Sequence, residues 1–427
     1  MAVNWLRKLA SGAPVPVFPI VGRAGESALQ ALYLSPAVTV TRSPRHARAL
    51  AVLGVIGQRD REAFRRVHDQ VPAPRVTFWF SDTAIPEALR SSVVIGEAST
   101  DIGAQIARAA KALYGGQPSG DVDMCPDEPP APWKGVGDGH GGEGMMGGKP
   151  YGRPMAMPED DLRDGLQLDP LAFSIGPFSP LLPPGMVVEC KLHGDVVAQW
   201  ELVGRPYERT LAPVFYQALE EPVAIADLEL ARAASHLRGL AEALQLAGLG
   251  AYANRLRRGA ARLTPGQSVD KIGGSGVLRA LRWSAGTEKG VVEGDARVRL
   301  RGPGARAAGY PGDARQNDPA YAALGFKPVT QGGGTCVARW KQWIEEADQA
   351  LKLAEAAARS QTMSSPSGLV ESPLGPLTKS SPLPDCSDLI DSLVVGLEWS
   401  EAIAVLSSFD LPAVRDLDST RAREDAS

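Results

Sequence analysis

Thiols and imidazoles are the scarcest reactive groups in this 427-residue chain. There are four cysteines, Cys125, Cys190, Cys336 and Cys386, and five histidines. No two cysteines form a CxxC pair. Structural zinc and iron–sulfur centres draw on close cysteine pairs, and disulfide frameworks belong to small, cysteine-dense secreted domains. The spacing therefore reads as four separate thiols. Softer donors gather in DGHGGEGMMGGKPYGRPMAM (138–157). Thioether sulfur and imidazole suit Cu(I), which makes His140, Met145 and Met146 the candidate metal ligands, with Met155 and Met157 close by. The competing reading is a flexible Gly–Met segment that packs its methionines on a neighbour. GGSG (273–276) and QGGG (331–334) make neither GxGxxG nor a P-loop, and no Ser/His/Asp set stands out. Ser81-Asp82-Thr83 follows the strand-like RVTFWF (75–80), the kind of strand tip where α/β proteins often place chemistry.

The elements that must position these groups fall into two parts. Residues 1–116 read as a small α/β domain with a parallel sheet. ALAVL within 47–57 is apolar throughout, as buried parallel strands are. AVTV (37–40), RVTFWF (75–80) and SSVVIGE (91–97) supply further strands. Helices are expected over 24–34, 60–71 and 101–116, the last with Asp101 as N-cap and a glycine stop. Strands alternating with helices imply right-handed crossovers. Residues 117–165, rich in Gly, Pro and Met, read as a linker that drapes over a partner.

From 166 to 415 the pattern changes to an α+β domain with a helical core. MVVECKLHG and VVAQWELVG are two antiparallel strands joined at a Gly-Asp turn. Long helices are expected over 225–249, 251–263 and 338–360. In the last, Trp340, Ile344 and Leu351 share a face that Trp343, Ala347 and Ala350 broaden. Residues 416–427 form a charged tail.

Composition sets outer limits. Hydrophobic content of 44% suffices for a sizeable core, and the net charge of −4 offers no positive field for nucleic acid. No apolar run approaches the ~20 residues of a membrane span, and the N-terminal residues lack a signal-peptide pattern. The expectation is a soluble, cytoplasmic chain that reaches a membrane only through a partner.

Two stretches carry a family resemblance. SPRHARALAVLGVIGQRDREAFRRVHDQVPAPRVTFWF (43–80) resembles the cluster-bearing small subunit of the quinone-reducing module of complex I, a relative of nickel–iron hydrogenase small subunits. The matching residues are Ser43-Pro44-Arg45, His68-Asp69-Gln70 and Pro72-x-Pro74. The second domain resembles the partner of that subunit, the 49-kDa subunit related to hydrogenase large subunits. GPFSPLLPPGMVVECKLHGDVV (176–197) resembles its first hairpin, and Ser235-His236-Leu237 its Glu-x-x-Arg…His-Leu helix. Residues 309–357 keep Asp313, Arg315, Asp318-Pro319, Tyr321, Phe326, Arg339 and Glu345 in the family's order, and 397–411 resembles its C-terminal element.

The resemblance implies a fusion of both subunits: a flavodoxin-like small-subunit domain followed by a hydrogenase-large-subunit-like domain. It also implies what has been lost. The family's adjacent cysteine pair, expected near residues 18–30, is absent. Ser81-Asp82-Thr83 stands where a cluster cysteine should be, and IGEAST (95–100) where Gly-Cys-Pro-Pro is expected. Neither hydrogenase CxxC pair is present, and Phe178-Ser179-Pro180-Leu181-Leu182 replaces the His-Pro-x-x-His loop that reaches toward quinone. The chain between 204 and 228, holding Tyr207 and Tyr216, is short for the family's cavity wall. The resemblance thus implies no 4Fe–4S or nickel–iron centre and leaves quinone as the open ligand. It places His236, Asp313, Arg315 and Arg339 at the interdomain interface, and implies complex I-like or antiporter-like membrane subunits as partners.

Overall fold

Ala49–Leu53 is buried at every position and forms the centre of a parallel sheet. The computed structural model describes residues 13–80, 94–95, 101–114, 120–126, 170–282, 288–292, 300–379 and 386–413. Five strands run in the order β2-β1-β3-β4-β5: β1 Val15–Val21, β2 Val38–Val40, β3 Ala49–Leu53, β4 Val76–Phe80 and β5 Val94–Ile95. All adjacent pairs are parallel, and this is the flavodoxin-like order of a doubly wound sheet. Side chains alternate between its faces. Val17, Ala49, Ala51, Leu53, Phe78 and Phe80 meet α1 (Glu26–Leu34) and α3 (Ile102–Tyr114). Phe18, Ile20, Leu50, Val52 and Trp79 meet Phe64 of α2 (Arg61–Asp69) on the other face. Helix cover on both faces explains why β3 and β4 read as unbroken apolar runs.

Residues 120–126, read from sequence as the beginning of the linker, dock on this unit. The Asp69 carboxylate accepts the backbone N–H of Met124 and Cys125 at 2.7–3.0 Å, and Thr77 donates to Asp121 at 2.6 Å. Ser81-Asp82-Thr83, His140, Met145 and Met146 lie outside the described residues, as does the charged tail.

The C-terminal part is built on two long helices, α4 (Ile225–Leu246) and α8 (Cys336–Ser360), with α5 (Gly250–Ala260), α6 (Gly274–Arg282), α7 (Gly302–Ala307) and α9 (Trp399–Ser407) around them. Their approach is close at Gly239, where a Cβ would sit 3.3 Å from the Trp343 ring. Thr335 caps α8 by accepting the Ala338 N–H, and Glu398 with Glu401 form a capping box on α9. The sequence reading of two antiparallel strands falls one short. The sheet has three, in the order β6 (Pro170–Ile175), β7 (Val187–His193), β8 (Val196–Gly204). β6 is an edge strand that opens on proline, where the donor it lacks is least needed. A further hairpin, β9 (Leu369–Ser372) with β10 (Gly375–Thr378), has no clear signal in its Ser/Pro-rich sequence.

Candidate functional site

The two parts meet along a polar and apolar seam. Phe178, from the loop before β7, is buried in the cluster of Phe18, Leu50, Phe64 and Trp79. Tyr207 donates its hydroxyl to the buried Asp60 carboxylate at 2.7 Å. Burial, then the bond to Asp60, pushes the Tyr207 pKa up, so it stays a neutral donor. Arg59 reaches back to the carbonyls of Gly185 and Arg205 at 3.4 and 3.2 Å. Arg209 bridges Glu26 of α1 at 3.4 Å and Asp410 at 2.7 Å. The Arg257 guanidinium lies 3.7 Å from the Tyr33 ring centroid.

Between these contacts lies a cavity of about 160 Å³. One wall is apolar: Phe178, Pro180, Leu181, Leu182, Leu406 and Phe409. The lining also carries Glu26, Tyr33, Arg209, Glu242, Gln245 and Arg257. Burial works against the Arg209 charge, yet Glu26, Asp410 and Glu242 outweigh it and hold the guanidinium firmly ionised. Glu242 makes no hydrogen bond or ion pair among the described residues. Its side chain is accessible to solvent through the cavity, while the protein around it pushes its pKa up. Loss of bulk water among the cavity walls is the main cause; Arg209 and Arg257 oppose it, Glu26 and Asp410 add to it.

A raised carboxyl pKa means that folding takes up a proton here. The stability this group contributes is complete below the unfolded value near ~4.3 and is lost as pH rises through the folded value. Glu242→Gln is accordingly expected to raise Tm at pH 8 and leave it unchanged near pH 4. Scanning fluorimetry across that range checks this; an equal shift at both ends would contradict it.

The loops after β1 and β3 mark the switch point of the sheet, where doubly wound folds open to a ligand. Here they close on each other. A Cβ on Gly25 would lie 2.1 Å from the Leu53 carbonyl oxygen, and one on Gly54, at φ +81°, 2.2 Å from that of Arg23. Only glycine allows this backbone-to-backbone approach.

The four residues expected at the interdomain interface do not line the cavity. Their partners among the described residues lie within the C-terminal part. Asp313 and Arg315 form a two-point pair at 2.8 and 3.0 Å. Arg315 also donates to Glu229 at 3.0 Å, whose other oxygen accepts the Tyr321 hydroxyl at 2.6 Å. Arg306, which the sequence reading passed over, joins Glu346 at 2.7 and 3.0 Å, Glu371 at 2.7 Å and Asp313 at 3.1 Å. His236 Nε2 lies 3.2 Å from Glu346 Oε2. Burial alone would raise the Glu346 pKa, but Arg306 and His236 hold it well below the usual range. Arg339 is not part of this ion network. It donates to the carbonyls of Gly290 and Gly334 and to Ser408 Oγ, and lies 3.8 Å from the Phe409 ring centroid. Tyr216 packs with Phe215 and Leu211, away from the seam.

Three of the four thiols are chemically quiet. Burial pushes Cys190 up to about 11 and raises Cys336; Cys125 is raised by burial and by the Asp69 carboxylate. None of these three is a low-pKa nucleophile. Among the described residues no group of three or more His, Cys, Asp or Glu is placed to hold a metal ion.

Comparison with known proteins bears on one segment. No curated protein matches the chain. A chain of the membrane-bound sulfane sulfur reductase (MBS), an archaeal respiratory membrane complex, aligns at 16% identity over 56% of this chain and 96% of its own. Its TM-score of 0.38 is too loose an overlap to bear on function. Residues 290–380 match the family model of the respiratory-chain NADH dehydrogenase 49 Kd subunit. That segment holds Arg306, Asp313, Arg315, Glu346 and Glu371, so most of the buried ion network falls within it. The C-terminal part thus carries a segment similar to the 49 Kd subunit of respiratory-chain NADH dehydrogenase.

Proposed function

We propose that the chain is a complex I-related peripheral-arm subunit that holds no iron–sulfur or nickel–iron centre of its own. It would serve as a structural and coupling subunit of a membrane-associated complex, fused in the order small subunit, large subunit. The observation that carries this reading is the sealed switch point: Gly22, Gly25 and Gly54 bring the β1 and β3 loops together where a cluster-bearing relative needs space and thiolates. The residues present do not fit a 4Fe–4S cluster. Residues 18–30 contain no cysteine, nor do Ser81-Asp82-Thr83 or 95–100, and iron–sulfur clusters are held by thiolates. The match over 290–380 supports the complex I relationship. Among the described residues no helix is long and apolar enough to cross a membrane. Attachment to the cytoplasmic face would then run through a complex I-like or antiporter-like membrane subunit.

Affinity purification of the native protein with elemental analysis tests this. The eluate is expected to contain a polytopic membrane protein, and the isolated chain to be colourless and free of iron. Stoichiometric iron in the isolated chain would overturn the reading.

A second reading, a quinone-binding oxidoreductase subunit fed by its partners, is favoured by the cavity at the seam. Its volume is comparable to the roughly 150 Å³ of an engineered cavity that accommodates benzene. Binding of a short-chain quinone that is lost in Leu181→Trp would support it. The copper reading rests on His140, Met145 and Met146, outside the described residues, and no structural observation favours it.

A further inference from the structure

The buried network in the C-terminal part has an imbalance of charge. Four carboxylates, Glu229, Asp313, Glu346 and Glu371, meet three guanidiniums, Arg232, Arg306 and Arg315, with His236 and Tyr321 at the edge. All nine side chains are buried. With every carboxylate ionised and the imidazole neutral, one negative charge is left over. An uncompensated charge in such surroundings is unfavourable enough that a group neutralises instead. One extra proton, on a carboxylate or on the His236 imidazole, balances the network.

The hydrogen bonds indicate where. Glu346 is gripped on both oxygens by Arg306 and accepts a third bond from Gln342 at 2.6 Å. Glu229 receives Arg315, Arg232 and the Tyr321 hydroxyl. Asp313 has both oxygens on Arg315. Glu371 is the least compensated. One oxygen meets a single nitrogen, Arg306 Nη1, which also lies 3.1 Å from Asp313; the other accepts only the Ala314 N–H at 3.0 Å. Glu371 also lines a cavity of about 140 Å³ with Arg315, Tyr321, Asp318 and the Ser364–Ser367 segment, room for a few waters.

We propose that Glu371 is a proton-loading site: it is protonated in the folded protein at neutral pH and exchanges that proton with water through the adjoining cavity. The electrostatics agree. Burial and the neighbouring Asp313 raise its pKa, and Arg306 with the Ala314 N–H only partly offset them. The site is independent of the seam cavity and of whether the chain binds a quinone.

The test compares the full-length wild type with Glu371→Gln, Glu371→Asp and His236→Gln by thermal unfolding from pH 5 to pH 8. Because the folded pKa is raised, the wild type loses this group's stability as pH rises. Glu371→Gln, which resembles the protonated acid, is expected to gain several degrees in Tm relative to wild type between pH 5 and pH 8. Glu371→Asp is expected to keep the wild-type slope. An equal loss for Glu371→Gln at both ends overturns the proposal. So does a slope that survives in Glu371→Gln but vanishes in His236→Gln, since the proton would then reside on the imidazole. Should Glu371→Gln fail to fold, infrared spectroscopy of folded protein at pH 7 decides, in a Glu242→Gln background so that the seam carboxyl is silent. A protonated-carboxyl carbonyl band that shifts in Glu371→Asp supports the site, and the absence of any such band overturns it.

Discussion

Arg306→Met is expected to destabilise the protein by about 3–5 kcal/mol or more, the range for breaking a buried ion pair by removing one partner. The variant keeps the volume and the stem of the side chain but removes the cation that Glu346, Glu371 and Asp313 share. It also leaves the Gly312 carbonyl without its donor. Arg306→Lys should recover only part of the loss. A single ammonium cannot reproduce the fork that serves Glu346 on two nitrogens and Glu371 on a third. Urea denaturation, read from the midpoint at constant slope, measures both. A loss below about 1 kcal/mol for Arg306→Met, typical of exposed pairs, would show that the network does not hold the helices together.

Phe178→Ala is the second large effect, with an expected loss near 3 kcal/mol, the low end for emptying a buried aromatic site. The ring comes from the C-terminal part but is buried against the sheet of the N-terminal part, beside Phe18, Phe64 and Trp79. Its removal should weaken the seam more than either core. The expected signature is a second unfolding transition and faster proteolysis between the two parts, with the network around Arg306 intact. A single, uniformly shifted transition would show that other seam contacts, such as Tyr207 with Asp60, suffice to keep the parts coupled.

What the sequence made legible follows from how local each signal is. β3 and β4 were readable because five consecutive buried positions leave an unbroken apolar run. α8 was readable from its tryptophan, leucine and alanine stripe, although the same helix also buries Arg339, Gln342 and Glu346, which no periodicity rule would place inside. The seam cavity was not readable, because Glu26, Tyr33, Arg209, Glu242 and Arg257 come from separate segments. Arg306 and Glu371 are 65 residues apart in the chain. The one local hint was a lone arginine inside GPGARAAG, a run too small-sided to cover a charge from solvent by itself. Asp313, Arg315 and Arg339 were identified from motif order, which preserves identity but not address. Asp313 and Arg315 meet Glu229 and Arg306, while Arg339 stacks on Phe409 of the cavity wall.

α8 ties two distant regions to one rigid rod. Near its start, Arg339 stacks on Phe409, whose ring also forms part of the seam cavity wall. Seven residues further on, Glu346 anchors Arg306; at ~1.5 Å of rise per residue the two points are about 10 Å apart on a single continuous helix. Seven residues are almost two full turns, so Arg339 and Glu346 project from nearly the same face of the helix. The packing at the seam and the seat of the Arg306 network thus share one backbone, each resting on its own stretch of the same helix.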